Sequence, residues 1–163
     1  MTRCIALSGG VGGAKLALGL SKILTPDELL IVANTGDDFE HLGLTICPDI
    51  DTLLYTLAGI ANPDTGWGRA DESWETMKTL KAIGGETWFR LGDRDLALHL
   101  TRTQQLASGE TLSDTVAGLA KSLGLEHPII PMSDQPVRTM VRTDMGELPF
   151  QEYFVKNQYI CAR

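Results

Sequence analysis

A three-layer α/β domain with a mainly parallel sheet is the fold this sequence predicts, and three observations carry the prediction. Short apolar runs at residues 4–7 and 29–33 alternate with segments of helical period. The second run, LLIVA, is apolar throughout, as in a strand covered on both faces. Strand, loop, helix and strand in that order make a βαβ unit, whose two strands run parallel. The chain has 163 residues, 43% hydrophobic and 21% charged, which suits one domain with a real core.

Each element has its own signal. Residues 4–7 end in Ser8-Gly9-Gly10, a strand entering a loop. Residues 14–24 read as a helix with Leu16, Leu20, Ile23 and Leu24 on one face, broken by Pro26. After the strand at 29–33, residues 34–48 read as a long loop rich in Gly and Asp. Asp49 is placed to cap a helix over 50–61, with Leu53, Leu54 and Leu57 inward. A helix is expected over 71–83, an extended segment over 87–91, and a helix over 93–107 with Leu96, Leu100 and Thr103 on one side. Thr111 and Asp114 have capping-box spacing before a helix that runs to Leu123. Strands follow at 129–132 and 137–142, joined by a polar turn around Asp134. A turn at 144–146 and a further helix within 149–158 complete the reading.

Charge and cysteine content narrow the function. The net charge of −7 opposes broad binding to nucleic acid or to an anionic membrane. Cys4, Cys47 and Cys161 are far apart, so neither a disulfide framework nor a zinc site is expected, and the thiols fit a reduced, cytoplasmic protein. The first apolar run is too short for a signal peptide, and no segment is long enough to span a membrane. Residues 23–68 contain no Lys or Arg but carry Asp27, Glu28, Asp37, Asp38, Glu40, Asp49, Asp51 and Asp64. Such a stretch is either a solvated acidic surface or an invitation to a divalent cation.

Three constellations could carry chemistry. Gly9, Gly10, Val11, Gly12, Gly13 and Lys15 stand between the first strand and the first helix. Glycines let a backbone approach a ligand closely, and a helix start presents N–H groups and a positive dipole end to an anion. The run matches neither the dinucleotide fingerprint nor Walker A, because Lys15 occupies the third glycine position and no Gly-Lys-Ser/Thr follows. It reads as a phosphate cradle of its own kind, or as a plain tight turn. Asn34-Thr35-Gly36-Asp37-Asp38 lies at the carboxyl end of the second strand, where open α/β sheets bind ligands. Asp37 with Asp49 or Asp51 suits Mg²⁺, although loop and cap structure alone would also use such residues. In the block from Trp88 to His99, Arg90, Asp93 and His99 surround a glycine turn, and Asp95 and His99 share a helix face. Trp88 and Phe89 are expected in the core.

Taken together, LSGGVGGAKLALGL, NTGDD, HLGLTICPDIDTLLYTLAG, GWGRADESW, WFRLGDRDLALHLTRT, PMSD and FQEYFVK resemble the 2-phospho-L-lactate transferases, over nearly the whole chain. The resemblance implies a Rossmann-like fold. It implies attack by the terminal ribityl hydroxyl of the deazaflavin Fo on a guanylylated three-carbon phospho-acid, with GMP released, on the way to coenzyme F420. It implies Mg²⁺ held by Asp37 with Asp49 or Asp51, and nucleotide or phosphate held by Gly9, Gly10, Val11, Gly12 and Gly13, with Lys15 as a candidate cation. Thr35, Asp37, Arg90 and Asp93 would lie near the deazaflavin, with His99 grouped beside them, and Asp37 would orient or deprotonate the hydroxyl. Family members are roughly twice this length, so the domain is expected to be an incomplete, N-terminal portion. A homodimer is left open. The competing readings are a non-catalytic metabolite-binding regulator resembling the gluconeogenesis factor, and an inactive truncated form.

Overall fold

The computed structural model describes residues 3–158. Met1, Thr2 and residues 159–163 lie outside them, and with them the start of the N-terminal run and Cys161. The chain is mixed α/β. Strands β1 (Cys4–Ser8), β2 (Leu29–Ala33) and β5 (Ile129–Pro131) form a parallel sheet in the order β1-β2-β5, with Cys4 opposite Leu29 and Ile31 opposite Ile129. Helix α1 (Gly10–Ser21) links the first two strands and packs on α2 (Pro48–Leu57). One sheet face (Ala6, Ile31, Ala33, Ile129) meets Ala14, Ala17, Ile50, Leu53, Leu54, Val116 and Leu119 in the main core.

Two helical stripes differ from the expected ones. In α1 the buried residues are Ala14 and Ala17, whereas Leu16 and Ile23 are exposed. The cause is proximity: a Cβ on Gly13 would lie 2.8 Å from Ser8 Oγ and 2.9 Å from Ser8 Cα. A helix this close to its strand has room only for Gly and Ala on the facing side. In α4 (Asp93–Ala107) the buried face is Leu98, His99 and Arg102, and Leu100 is exposed. A buried ion pair, described below, sets that face instead of the leucine pattern.

The expected loop at 34–48 holds a hairpin, β3 (Phe39–His41) with β4 (Leu44–Ile46). Its two-residue turn, Leu42-Gly43, has positive φ at both residues (54° and 73°), the type I′ geometry that matches strand twist. Phe39 and Ile46 pack with Leu91 in a second cluster, joined by Trp88 and Phe89. The segment at 87–91 is therefore not a strand. Its aromatic rings are wedged against Phe39 and His41, with Phe39 and Phe89 edge to face at 4.8 Å.

Helix α2 starts at Pro48, with Cys47 at the cap position, so Asp49 is not its cap. Helix α3 (Glu75–Ala82) begins four residues after the expected Asp71, which has φ +53°. Helix α5 (Leu112–Ser122) is capped as expected: Asp114 N–H donates to Thr111 Oγ1 at 3.0 Å. The expected strand at 137–142 is replaced by β6 (Met140–Thr143), which pairs antiparallel with β7 (Gly146–Pro149) apart from the main sheet. The last expected helix is a π-helical turn, Glu152–Lys156. Among the described residues no helix is long and apolar enough to cross a membrane. The described residues supply helices to one face of the sheet. Ile5 and Leu7 on the other face are 61% and 77% exposed.

Candidate functional site

The glycine turn, the acidic loop and the start of α2 converge on one side chain. Gly10 N–H donates to Asp49 Oδ1 at 2.8 Å, and Asn34 Nδ2 donates to Asp49 Oδ2 at 2.8 Å. Asn34 Oδ1 in turn accepts from Gly36 N–H at 3.0 Å, which shapes the turn before Asp37. Backbone bonds fix the frame, since Asn34 N–H donates to Ser8 O at 2.8 Å. One N–H at the head of α1, that of Gly10, is thus already engaged by a carboxylate. Gly10 takes φ +60° there, a left-handed conformation that suits glycine and turns the chain from strand into helix. Val11 and Gly12, in the first helical turn, have N–H groups without intrahelical acceptors. Lys15 is exposed on the same helix.

Asp37 and Asp38 are both partly buried. Burial first, and then the charge of Asp49, raise the Asp37 carboxyl above its ordinary range. Asp38 is pushed up to about 7, chiefly by burial. The Cys47 thiol and Arg102 oppose that rise, and Asp51 and Asp49 add to it. Burial also pushes the Cys47 thiol up, well above its ordinary value. Thr35 is only 2% exposed, and its Oγ1 and Asp38 Oδ1 have no hydrogen-bond partner. Both residues line an open-sided cavity of about 250 Å³, together with Leu106, Leu112, Pro136 and Val137.

Asp51, two residues beyond Asp49, has a different setting. It is 5% exposed, and both its oxygens are held by Arg102, itself fully buried. Arg102 also donates to Thr45 O at 3.3 Å, which ties α4 to the hairpin. His99 Nδ1 lies 3.4 Å from Arg102 Nη1 and 3.6 Å from Asp51 Oδ2, and His99 Nε2 lies 3.1 Å from Asp95 Oδ2. Tyr55 hydroxyl donates to Asp95 Oδ1. Burial alone would raise the Asp95 carboxyl, but His99, Tyr55 and Arg102 together hold it below its ordinary range. Burial alone would lower Arg102, but the carboxylate of Asp51 overrides it and the guanidinium stays charged. Asp51 and His99, both expected at the site, are enclosed in this network rather than turned toward a ligand.

Asp93 also has a structural task. Its carboxylate accepts from Ser73 Oγ at 2.7 Å and from the N–H groups of Glu75 and Thr76 at 3.0 Å each. These bonds, led by Ser73, hold its carboxyl well below the usual range. Glu72 returns the favour to α4, accepting from Arg94 N–H at 2.8 Å and Asp95 N–H at 2.9 Å. The N-termini of α3 and α4 therefore cap each other, and each dipole meets a negative charge. Gly92 permits the approach, because a Cβ there would fall 2.3 Å from Glu72 Cδ. Arg90 is exposed and stacks on Trp74 at 4.3 Å.

Of the expected site residues, the structure brings Gly10, Asp49 and the Asp37 loop together. It commits Asp51, His99 and Asp93 elsewhere. Asn34 and Asp38, expected as part of the motif at the end of the second strand but given no individual role, also take part. The position of Asn34 at the carboxyl end of β2 is the signal that marks it, whereas nothing in the sequence marks Asp38 apart from Asp37.

Residues 4–162 match the family described as 2-phospho-L-lactate transferase CofD. A phosphoenolpyruvate transferase of Kitasatospora aureofaciens is 45% identical over 160 residues, covering 94% of this chain and 50% of that protein. A 2-phospho-L-lactate transferase of Methanospirillum hungatei is 40% identical over 159 residues, covering 96% of this chain and 54% of that protein. The crystal structure of a Bacillus halodurans protein superimposes with a TM-score of 0.53 at 14% identity, covering 94% of this chain and 47% of that one, a likeness of fold. The chain spans about half the length of the curated relatives it matches. With nearly every residue inside the matched stretch, the chain belongs to the 2-phospho-L-lactate transferase CofD family.

Proposed function

We propose that this chain forms the glycine-turn half of a cytoplasmic transferase. The enzyme would move a phospholactyl-type or phosphoenolpyruvyl-type group from a guanylylated donor to the ribityl hydroxyl of the deazaflavin Fo, with GMP released. The observation that carries the reading is the double engagement of Asp49, bonded to the glycine turn through Gly10 and to the acidic loop through Asn34. An anion seat and a pair of carboxylates therefore share one location.

The residues fit Mg²⁺. Burial first, and then the charge of Asp49, lift the Asp37 carboxyl, and a cation near both would offset these two costs of its charge. Among the described residues no group of three His, Cys, Asp or Glu side chains is arranged to hold a metal. Mg²⁺ commonly takes one or two carboxylates and completes its shell with water and phosphate oxygens, so two aspartates suffice. Bound there, the ion would supply neutralisation of the donor's phosphate charge. The chain's own residues do the rest. The N–H groups of Val11 and Gly12 bind phosphate oxygens at the positive end of α1. Asp37 orients the attacking hydroxyl and takes its proton. Thr35 Oγ1 and Asp38 Oδ1 offer their free positions to the acceptor. Group transfer at phosphorus asks the protein mainly for such positioning.

The test uses Asp37→Asn in the chain fused to the remaining half that its relatives carry, once the unsubstituted fusion is shown to release GMP. With donor, Fo and Mg²⁺ present, GMP release should fall at least a hundredfold while the melting temperature holds. An unchanged rate removes Asp37 from the reaction. Fo fluorescence titration in the same samples separates loss of binding from loss of turnover.

A further inference from the structure

We propose that Asn34 is a positioning residue, whose carboxamide holds the Asp37 turn in register with Asp49 and the glycine turn. The proposal rests on the reading of Asp37 and Asp49 as the pair that serves the reaction. Asn34 follows directly on the last residue of β2. Its backbone N–H donates to Ser8 O at 2.8 Å, just past the final paired residues of the two strands, Ser8 and Ala33. The main chain of Asn34 is thereby fixed to the end of the sheet. Its side chain then reaches two other segments. Nδ2 donates to Asp49 Oδ2 at 2.8 Å, and Oδ1 accepts from Gly36 N–H at 3.0 Å. Asp49 carries the link on to the glycine turn, accepting from Gly10 N–H through its other oxygen. One amide therefore ties the acidic loop, the head of α2 and the glycine turn to the sheet.

Asparagine meets both demands at this length. The partners fix the orientation of the amide, because a backbone N–H only donates and a carboxylate only accepts. Aspartate would keep the bond from Gly36 but has no donor for Asp49 and would set a second negative charge against it. The fit is close: a Cβ on Gly36 would lie 3.1 Å from Asn34 Oδ1 and 3.0 Å from Thr139 Oγ1. Thr139 grips the same turn from a second side, its N–H donating to Gly36 O at 2.6 Å. The need for a clamp is electrostatic. Asp37 and Asp49 are like charges, and residues 23–68 contain no Lys or Arg to draw them together. A neutral amide holds the two segments in place without neutralising either carboxylate, so their charge stays available to a cation.

The experiment places Asn34→Ala and Asn34→Asp in the fusion used for Asp37→Asn and reads GMP release against Mg²⁺ concentration. Both variants should release GMP at least tenfold more slowly at saturating Mg²⁺, and Asn34→Ala should need at least threefold more Mg²⁺ for its half-maximal rate. If Asn34 only shaped the turn through Gly36, Asn34→Asp would keep that bond and its rate. An unchanged rate in either variant therefore overturns the proposal. A second measurement does not depend on the reaction. In the same fusion labelled with ¹⁵N-glycine, hydrogen exchange at the Gly10 and Gly36 amides should quicken at least tenfold in Asn34→Ala, while Gly118, within α5, keeps its rate and shows that the variant is folded. Unchanged exchange at Gly10 and Gly36 overturns the proposal. If the unsubstituted fusion releases no GMP, the proposed reaction falls, and the exchange rates still decide whether Asn34 holds these segments together.

Discussion

Two acidic clusters begin two residues apart on α2 and have opposite characters. Asp51 faces inward to Arg102, with His99, Asp95 and Tyr55 completing a network that neutralises itself. Asp49 faces the glycine turn and shares its surroundings with Asp37 and Asp38, in a stretch that lacks any Lys or Arg. Two residues turn a helix by ~200°, which is enough to send neighbouring carboxylates to opposite sides. The contrast shows how to separate scaffold from site among look-alike aspartates. Where the protein supplies the countercharge, the carboxylate holds the fold. Where it does not, a ligand is left to supply it.

The largest break in this comparison should come from Arg102→Met. It leaves Asp51 buried without its partner, and such losses cost about 3–5 kcal/mol. Urea unfolding should show a large drop, with Asp51→Asn in the same chain restoring part of it. Next is Asp49→Ala, which removes two hydrogen bonds to a charged acceptor and should cost about 1.5–3 kcal/mol. Unlike the Arg102 change, it should also bring the Asp37 carboxyl back toward its ordinary range, followed by NMR titration. Asp38→Asn comes third and depends on pH. The folded carboxyl titrates near 7 against 3.8 when unfolded, so the folded state holds the extra proton between those values. Stability therefore falls as pH rises through that window. Removing the charge should stabilise by on the order of 1–3 kcal/mol near pH 8 and by almost nothing near pH 4, by thermal melts at both. The smallest effect belongs to Asp93→Ala, where loss of an exposed cap should lower the melting temperature only slightly. If Asp93 instead met only ligand, stability would be unmoved and Fo binding would fall.

The parallel βαβ frame was legible because LLIVA and the helical stretch after the glycines have the right lengths and order, even though the leucine stripe expected for that helix is not the face it buries. The hairpin at Phe39 and Ile46 was hidden by brevity: strands of three residues give one alternation each, too little for a period. Glycine and aspartate density at residues 34–48 signalled a loop, whereas Leu42-Gly43 used that freedom for a two-residue turn. The site was half legible. Asp37, Asp49 and Gly10 stand out by residue type. The separation of Asp49 from Asp51 depends on Arg102, more than fifty positions away, and no local pattern carries that. Asp93 and His99 looked like ligand residues because polar groups at a strand-to-helix junction often are. Ser73, which holds Asp93, and Asp51, beside His99, are likewise distant in sequence, whereas Asp95, the nearer partner of His99, was legible four residues away on the same helix face.

The tight seat of Gly13 against Ser8 has a consequence for recognition. With no slack between helix and strand, the amide groups at the head of α1 are held in one direction by the fold itself. The ordering entropy of that surface is spent when the chain folds, so a ligand need not supply it on arrival. If the proposed phosphate contacts form there, enlarging residue 13 would weaken them even where every polar contact survived, because a Cβ would push α1 away from Ser8.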